Sequence, residues 1–222
     1  MRLPSVCALC SHYHKNSLIL CPFCIKLLVK IKHGCLICRK PLLDVHESVC
    51  IDCLKMKPLF DDVICDYVFA EPLRTLIHQF KYEGAFYLSA LFTQLMIHSL
   101  NKNKEQLGCL VPVPLHATRL KERGFNQAAV LTKQLAQSLN IPYDLNLCKK
   151  IMRTPEQASL TKRQRQGNLK NAFIVKKNNY SIITVVDDLL TTGETANELA
   201  RIIKINTQCH VNIWCIARTF KL

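Results

Sequence analysis

Residues 182–195 read I-I-T-V-V-D-D-L-L-T-T-G-E-T, and this stretch decides the predicted fold. Its apolar, β-branched start at 182–186 is typical of a strand buried on both faces, and two adjacent carboxylates, Asp187 and Asp188, follow it. A short turn then leads into a helix that starts near Glu194, so that backbone N–H groups converge at the positive end of that helix. Carboxylates suit sugar hydroxyls or a bridging metal ion, whereas the turn suits a phosphate. The stretch therefore predicts a site for a sugar that carries a phosphate.

A simpler interpretation is that the acids and threonines only cap the helix, because Asp and Thr are ordinary capping residues. The full order of an apolar run, two acids, two spacers and Thr-Thr-Gly-x-Thr is longer than a cap requires. It resembles the 5-phosphoribosyl-1-pyrophosphate (PRPP) motif of the type I phosphoribosyltransferases. The resemblance implies that Asp187 and Asp188 hold the 2′ and 3′ hydroxyls of the ribose. It also implies that the 5′-phosphate binds to the turn residues Thr191, Thr192, Gly193 and Thr195.

From residue 61 onward, segments with strand composition alternate with amphipathic helical segments. Strands are predicted at 63–70, 108–114, 144–151, 172–176, 182–186 and 210–217, and helices at 72–80, 87–100, 126–139 and 196–206. This alternation predicts an α/β fold with a mostly parallel sheet flanked by helices, in which ligands bind beyond the carboxyl ends of the strands. We expect residues 58–222 to form this phosphoribosyltransferase-like domain.

The first 53 residues contain four C-x-x-C pairs, which hold eight of the 13 cysteines. Two such pairs can direct four thiolates at one ion, and a tetrahedral site of four sulfurs selects zinc. Pairing in sequence order closes shorter loops than cross-braced pairing and is preferred, but both arrangements satisfy the spacing. The sequence predicts a double zinc ribbon over 1–57 with two structural zinc sites. The predicted ligands are Cys7, Cys10, Cys21, Cys24, Cys35, Cys38, Cys50 and Cys53.

Other uses of these cysteines are less favoured. Disulfides need an oxidising compartment, and the N-terminus has no secretion signal. A histidine in place of one cysteine is the remaining alternative, with His12, His14, His33 and His46 in the intervening segments. A segment this short buries little apolar surface, so the metals serve folding first, and nucleic-acid contact or partner docking second.

The net charge of +14 indicates a polyanionic partner, with a merely solubilising surface as the alternative. Nine basic side chains and one acid fall within 149–177. The sequence has no run of 18 apolar residues and no signal peptide, so we expect a cytoplasmic protein without membrane insertion.

Two further segments are predicted to reach the same crevice as the acids. The segment 115–127 leaves the strand V-P-V-P, and in the phosphoribosyltransferases the loop at this place binds pyrophosphate. The resemblance gives that role to Leu115, Arg119, Lys121 and Arg123. The segment 149–170 takes the place of the flexible catalytic loop, a lid that closes over PRPP. Its residues, which are also candidates for nucleic-acid contact, are Arg153, Gln157, Lys162, Arg163 and Arg165. A solvated basic face is the alternative for both segments.

Over almost its whole length the chain resembles the ComF family of competence proteins. The resemblance rests on the cysteine pairs, the PRPP motif and three further motifs. These are P-L-R-T-L-I-H-Q-F-K-Y-E-G at 72–84, V-P-V-P-L-H-A-T-R-L-K-E-R-G-F-N-Q-A at 111–128, and R-T-P-E-Q-A-S-L-T-K-R-Q-R-Q-G-N-L-K-N-A-F at 153–173. It implies a double zinc ribbon on a type I phosphoribosyltransferase domain. It also implies a role in natural transformation, when single-stranded DNA enters the cytoplasm.

One hypothesis for the function is an enzyme that transfers the phosphoribosyl group. Loss of pyrophosphate from PRPP asks chiefly for positioning, Mg²⁺ and cations around the leaving group. Asp187 and Asp188 would hold the ribose and help to place Mg²⁺ through water, and Arg119 and Arg123 would hold pyrophosphate. The sequence shows no acceptor pocket. A glutamine-dependent amidotransferase is disfavoured, because residue 2 is Arg and not the N-terminal cysteine of that class.

A second hypothesis is a nucleic-acid-binding factor that retains the PRPP site. The charge, the zinc ribbons and the basic lid support it, with Tyr13, Phe23 and Phe60 as candidate groups for base stacking. Its partner would be single-stranded DNA. A third hypothesis is a scaffold whose zinc module docks a competence helicase or another uptake protein.

Overall fold

The computed structural model describes residues 5–15, 19–100, 103–152 and 172–220. The predicted lid residues Arg153, Gln157, Lys162, Arg163 and Arg165 lie outside these ranges. Within the described residues, none of the helices combines the length and the apolar character that crossing a bilayer requires.

The N-terminal segment is built from short elements. Strands β1 (Ser5–Val6) and β2 (Tyr13–His14) pair antiparallel, and two one-turn helices follow, α1 (Pro22–Lys26) and α2 (Ile51–Lys55). Both helices begin directly after a cysteine, at Cys21 and Cys50, and at Cys21 the side chain accepts the N–H of Cys24. The secondary structure of this segment is therefore organised around the cysteine pairs.

A parallel sheet of five strands forms the centre of the fold, in the order β3-β9-β8-β5, with β4 also paired to β9. The strands are β3 (Asp62–Ile64), β4 (Tyr67–Val68), β5 (Cys109–Pro112), β8 (Ile182–Leu190) and β9 (His210–Arg218). A separate antiparallel pair consists of β6 (Cys148–Lys150) and β7 (Phe173–Val175).

Helices cover both faces of the sheet. They are α3 (Leu73–Tyr82), α4 (Leu88–His98), α5 (Ala117–Arg123), α6 (Gln127–Leu139) and α7 (Glu194–Asn206). Because side chains alternate along a strand, Val185 packs on the α7 side and Val186 on the side of α3, α4 and α6. The predicted fold class, a type I phosphoribosyltransferase fold with a mostly parallel sheet and an N-terminal double zinc ribbon, is confirmed.

The central strand is longer than predicted. The prediction ended it at residue 186, whereas β8 continues to Leu190 because Leu189 and Leu190 stay in register with Ala217 and Arg218 of β9. The two acids therefore lie within a strand and not beyond its end. The predicted strands 144–151 and 172–176 shorten to β6 and β7, which lie outside the central sheet.

Much of the predicted pyrophosphate loop 115–127 is helical. The side chain of His116 accepts the backbone N–H of Thr118 and caps α5, and Gly124 ends the helix with φ of 77°. The sequence A-T-R-L-K-E-R between them contains good helix formers, so two local signals define this short helix.

The N-terminal segment predicted as a double zinc ribbon (1–57), which we call the zinc module, is hydrogen-bonded directly to the sheet. The N–H of Ile31 donates to the carbonyl of Asp66 at 2.7 Å, and the N–H of Val68 donates to Val29 at 2.8 Å. Both buried clusters of the fold contain cysteines of this module, so it shares the core of the sheet. The boundary between residues 57 and 58 stays a prediction.

Candidate functional site

The eight cysteines of the four pairs form two groups, and in each group the four sulfurs lie within 4.8 Å of one another. The grouping follows the order of the sequence, which is the preferred arrangement, and it includes none of the four candidate histidines. We call Cys7, Cys10, Cys21 and Cys24 the first cluster, and Cys35, Cys38, Cys50 and Cys53 the second cluster.

Backbone N–H groups point at the sulfurs of both clusters. The N–H of Cys21 lies 3.4 Å from Sγ of Cys7, and the N–H of Cys50 lies 3.3 Å from Sγ of Cys35. Burial alone raises the pKa of these two thiols, but the backbone N–H groups outweigh it and lower the pKa of Cys7 to about 6 and that of Cys35 to about 7. The N–H groups therefore favour thiolates, which are the form that binds metal.

One further cysteine of each cluster, Cys24 or Cys53, has a pKa shifted in the opposite direction. Burial and neighbouring sulfurs raise the pKa of Cys24 and of Cys53, because several thiolates in one place repel each other. A divalent cation between four thiolates removes that repulsion. The donor set and its spacing fit structural zinc at both clusters.

The acid site consists of the adjacent acids Asp187 and Asp188 together with Lys81, which comes from a distant part of the chain. Nζ of Lys81, near the end of α3, lies 2.7 Å from Oδ2 of Asp188, and both side chains are largely buried. Burial by itself lowers the pKa of Lys81, but the adjacent Asp188 carboxylate raises it above the ordinary value. Lys81 therefore holds a positive charge beside the acids.

Asp187 differs from its neighbour. Its carboxylate is half-buried, and Oδ1 accepts the backbone N–H of Asp188 at 2.9 Å. Burial and the charge of Asp188 raise its pKa well above the ordinary value, while Lys81 acts in the opposite direction. Asp187 is in register with Cys215 of β9, on the α7 side, whereas Asp188 meets Lys81 from α3. The two acids thus contact different layers of the fold.

The turn 191–195, which we call the phosphate turn, joins β8 to α7. Gly193 is the N-cap of α7 with φ of 83°, a conformation that favours glycine, and the hydroxyl of Thr192 accepts the N–H of Glu194 at 3.5 Å. The N–H of Asn197 donates to the carbonyl of Gly193 at 2.8 Å, which closes the first helical turn. Thr191, Gly193 and Thr195 are half-buried and Thr192 is exposed, so this end of α7 is accessible to an anion.

The predicted pyrophosphate residues fall in different surroundings. Arg123 donates to Oη of Tyr82 at 2.9 Å and to Oε1 of Gln127 at 3.4 Å, and Gln127 in turn donates to the carbonyl of Lys81. Arg123 is thereby linked to the acid pair. Arg119 lies near Lys150, whose pKa is lowered by burial and by the charge of Arg119. Lys121 is exposed and Leu115 is half-buried.

Sequence reasoning missed Lys81. The residue stands in H-Q-F-K-Y-E-G, a motif that contributed to the family resemblance but received no role in the predicted site. Its apolar neighbours Leu76, Ile77 and Phe80 mark the buried side of α3, so a lysine beside them signals a buried charge that needs a partner. The identity of that partner, Asp188, depends on the tertiary fold.

Two of the three aromatic side chains predicted for base stacking are accessible. Tyr13 is 77% exposed and Phe23 is 73% exposed, and both lie in the zinc module. Phe60 is only 3% exposed, so the prediction for this residue was wrong. A Cβ at Gly193 would lie 3.9 Å from its ring, which places Phe60 beneath the phosphate turn.

Comparison with known proteins gives full-length relatives, although no family model matches. Competence protein F of Haemophilus influenzae is 33% identical over 216 residues, which is 93% of this chain and 93% of that protein. DNA utilization protein YhgH of Escherichia coli K12 is 29% identical, over 96% of this chain and 90% of its own. Competence protein ComFC of Bacillus subtilis is 28% identical, over 82% of this chain and 76% of its own.

Proposed function

Because the chain belongs to the competence protein F family, we propose that it handles incoming single-stranded DNA during natural transformation and that it carries a PRPP-binding site. The names of the relatives support the first part, since they refer to competence and to the use of DNA. The second part has its support in the geometry around β8. We place both activities in the cytoplasm, with residues 1–57 as the zinc module and 58–222 as the phosphoribosyltransferase-like domain.

The acid pair next to the phosphate turn is the observation that carries the PRPP site. Asp187 and Asp188 would accept hydrogen bonds from the ribose hydroxyls, and Lys81 would hold the side chain of Asp188 in place. The N-terminus of α7 would hold the 5′-phosphate, through the turn residues Thr191, Thr192, Gly193 and Thr195. Hydrogen-bond acceptors would then bind the ribose hydroxyls of the ligand, and hydrogen-bond donors would bind its 5′-phosphate.

The pyrophosphate group of PRPP would lie towards α5. Arg123 is hydrogen-bonded through Gln127 to the backbone carbonyl of Lys81, and Arg119 and Lys121 belong to the same helix. Leu115 precedes the helix. Mg²⁺ supplies charge neutralisation on the bound pyrophosphate. Since Lys81 already neutralises Asp188, the residues fit Mg²⁺ held through water on PRPP better than direct ligation by both acids.

Calorimetry with Mg²⁺ and PRPP tests the site. We expect the native protein to bind PRPP and the Asp187→Asn variant to bind it at least about ten-fold more weakly. An amide oxygen accepts a weaker hydrogen bond from a hydroxyl than a carboxylate does. Asp61→Asn is the matched control, since Asp61, like Asp187, accepts a backbone N–H, but it does so from Val211 at the start of β9, whereas Asp187 is in register with Cys215 further along that strand. Native protein that does not bind PRPP would refute the site.

Single-stranded DNA binding is supported by the charge of +14 and by the exposed aromatic side chains Tyr13 and Phe23. Affinity should fall steeply with salt, and Phe23→Ala should weaken it by about 1–3 kcal/mol if a base stacks there. Leu43→Ala is the control, because Leu43 is an exposed apolar residue of the same module without a ring. Equal losses of DNA affinity in both variants would contradict stacking of a base on the ring of Phe23.

A second candidate function is a catalytically active phosphoribosyltransferase. Perturbed pKa values cluster at functional sites, and both Lys81 and Asp187 have raised pKa values next to Asp188. Release of pyrophosphate from PRPP, assayed with candidate nucleobase and amine acceptors, tests this function. Binding of PRPP without release of pyrophosphate would leave a regulatory site.

A further inference from the structure

Arg218 is a buried cation to which the proposed function assigns no role. It ends β9, is 5% exposed, and contacts two regions that are far apart in the sequence. Its Nε donates to the carbonyl of Cys38 at 3.1 Å, and Nη2 lies 3.9 Å from Sγ of the same cysteine. Its Nη1 donates to the carbonyl of Leu190 at 2.9 Å and to the carbonyl of Thr191. One guanidinium therefore joins the second cluster to the start of the phosphate turn.

The chemistry of these contacts makes Arg218 sensitive to the second cluster. A buried guanidinium is stable only when its donors and its charge are compensated. The carbonyl oxygens of Cys38 and Leu190 accept hydrogen bonds from the guanidinium, and the sulfur of Cys38 lies close enough to compensate its charge. One Zn²⁺ with four thiolates has a net negative charge, so the metal-loaded cluster attracts the guanidinium and has ordered geometry. Without the metal, the knuckle that presents Cys38 loses the bond that fixes its position.

The rigid planar fork of arginine transmits this position to the turn. Because Nη1 holds the carbonyls of Leu190 and Thr191, the guanidinium fixes the backbone where β8 ends and the phosphate turn begins. We propose that Arg218 is a positioning residue that couples metal binding at the second cluster to the conformation of the phosphate turn. The coupling of metal to PRPP affinity rests on the proposed function, whereas the coupling to turn conformation does not.

Thermodynamic linkage gives the proposal a second consequence. If zinc in the second cluster favours the ligand-binding form of the turn, a ligand on the turn must stabilise that zinc by the same factor. If the ligand stabilised zinc only by stabilising the whole fold, the zinc of both clusters would be stabilised. Coupling through Arg218 predicts it for the second cluster alone.

Hydrogen exchange in the full-length protein tests the coupling without any ligand. In Arg218→Lys, amides of the phosphate turn should exchange about ten-fold faster, which is about 1.4 kcal/mol, because lysine keeps the charge but its compact ammonium cannot occupy the positions of both Nε and Nη1. The core of β8 at 183–186 should stay protected, which shows that the variant is folded.

Arg39→Lys is the matched control for this experiment. Arg39 also joins the zinc module to the sheet, with Nε 3.2 Å from the carbonyl of Cys65 and Nη2 3.4 Å from Asp66, and its recorded partners lie away from the turn. We expect turn exchange at the native rate in this variant. Native exchange in Arg218→Lys, or equal acceleration in both variants, would overturn the proposal.

Zinc release to a chelator tests the reciprocal effect. In a Cys7→Ser/Cys10→Ser background, the released zinc comes from the second cluster. PRPP should slow this release about ten-fold when Arg218 is present, and should have no effect after Arg218→Lys. If native protein does not bind PRPP, the proposed function fails and the exchange experiment alone decides the coupling. If PRPP binds but slows zinc release equally with Arg218 present and after Arg218→Lys, the coupling is refuted while the PRPP site stands.

Discussion

The two four-cysteine clusters and the acid site are built in opposite ways. Each cluster takes all its ligands from one short stretch, 7–24 or 35–53, and the backbone N–H groups of Cys21 and Cys50 that donate to its sulfurs belong to the same stretch. The acid site joins Lys81 of α3 to Asp188 of β8, which meet only after the sheet has formed. A local site depends on its metal, whereas an assembled site depends on the packing of the whole domain. The predictions below separate these two dependences.

Loss of the second cluster should have the largest effect. All four of its cysteines are buried in the same apolar cluster as Val185 and Leu190, so removing its metal exposes the core of the sheet. We expect Cys53→Ser to cost more than about 4 kcal/mol of unfolding free energy, measured by thermal or urea denaturation. Cys10 of the first cluster is exposed, and Cys10→Ser should cost clearly less. Equal costs would mean that both clusters support the sheet in the same way.

Breaking the ion pair should have the next largest effect. Asp188→Asn removes the carboxylate that lies 2.7 Å from Nζ of the buried Lys81, and removing one partner of a buried ion pair typically costs about 3–5 kcal/mol. Replacing both residues by apolar ones, as in Lys81→Met/Asp188→Leu, should recover most of that loss. Urea denaturation of the single and double variants measures the pair.

Zinc content and a neighbouring variant act as controls for the ion pair. Since the acid site is separate from the clusters, zinc content should stay native in all these variants. Asp187→Asn should be far less destabilising than Asp188→Asn, because Asp187 has no such cation at hydrogen-bonding distance among the described contacts and its pKa is already raised by burial. A large loss of stability in Asp187→Asn would contradict this asymmetry.

The contrast between the two sites also explains what the sequence could predict. The C-x-x-C spacing predicts the ligands and favours zinc as the metal, and loop length favours pairing in sequence order without excluding the cross-braced arrangement. The apolar run before Asp187 and Asp188 identifies the central strand and the candidate sugar site. All of these signals are local. The end of β8 at Leu190 depends on pairing with β9, and no window around residue 186 contains that information.

Residues that act across the fold could not be found in this way. No motif near Lys81 or Arg218 identifies their partners, because Asp188 lies 107 residues from Lys81 and Cys38 lies 180 residues from Arg218. Phe60 was misjudged for the same reason, because only the tertiary structure buries its ring beneath the phosphate turn. Helix α5, in contrast, has local signals in the sequence, its N-cap His116 and the glycine that ends it. The family resemblance nevertheless favoured a loop at this position.

The pH dependence of ligand binding should distinguish the acid site from the clusters. The pKa of Asp187 is raised above its ordinary value of 3.8, and only the carboxylate accepts hydrogen bonds from both ribose hydroxyls. PRPP binding should therefore weaken as the pH falls through this raised pKa, by up to about ten-fold per pH unit. Asp187→Asn should lose this dependence, as measured by calorimetry between neutral and mildly acidic pH.

Stability should respond to pH in the opposite direction. The folded state binds the Asp187 proton more tightly than the unfolded state does, so its contribution to stability is complete below the ordinary pKa and is lost as the pH rises through the raised value. The difference between native protein and Asp187→Asn isolates this contribution from acid release of zinc, which both proteins share. If ligand binding and stability changed with pH in the same sense, Asp187 would not be the group that titrates.

The smallest effect is expected at Glu194, where a negative charge stands in the first turn of α7 next to the predicted phosphate. Glu194→Gln should lower stability by about 0.3–1 kcal/mol, because an acid at a helix N-terminus interacts favourably with the helix dipole. The same change should strengthen PRPP binding several-fold, since it removes a like charge beside the 5′-phosphate. Glu198→Gln is the control, because Glu198 lies one turn further along α7 and pairs with Arg201 at 2.8 Å. Opposite signs for stability and affinity at Glu194, and not at Glu198, would identify the end of α7 as the phosphate site. Unchanged affinity would mean that the phosphate binds elsewhere.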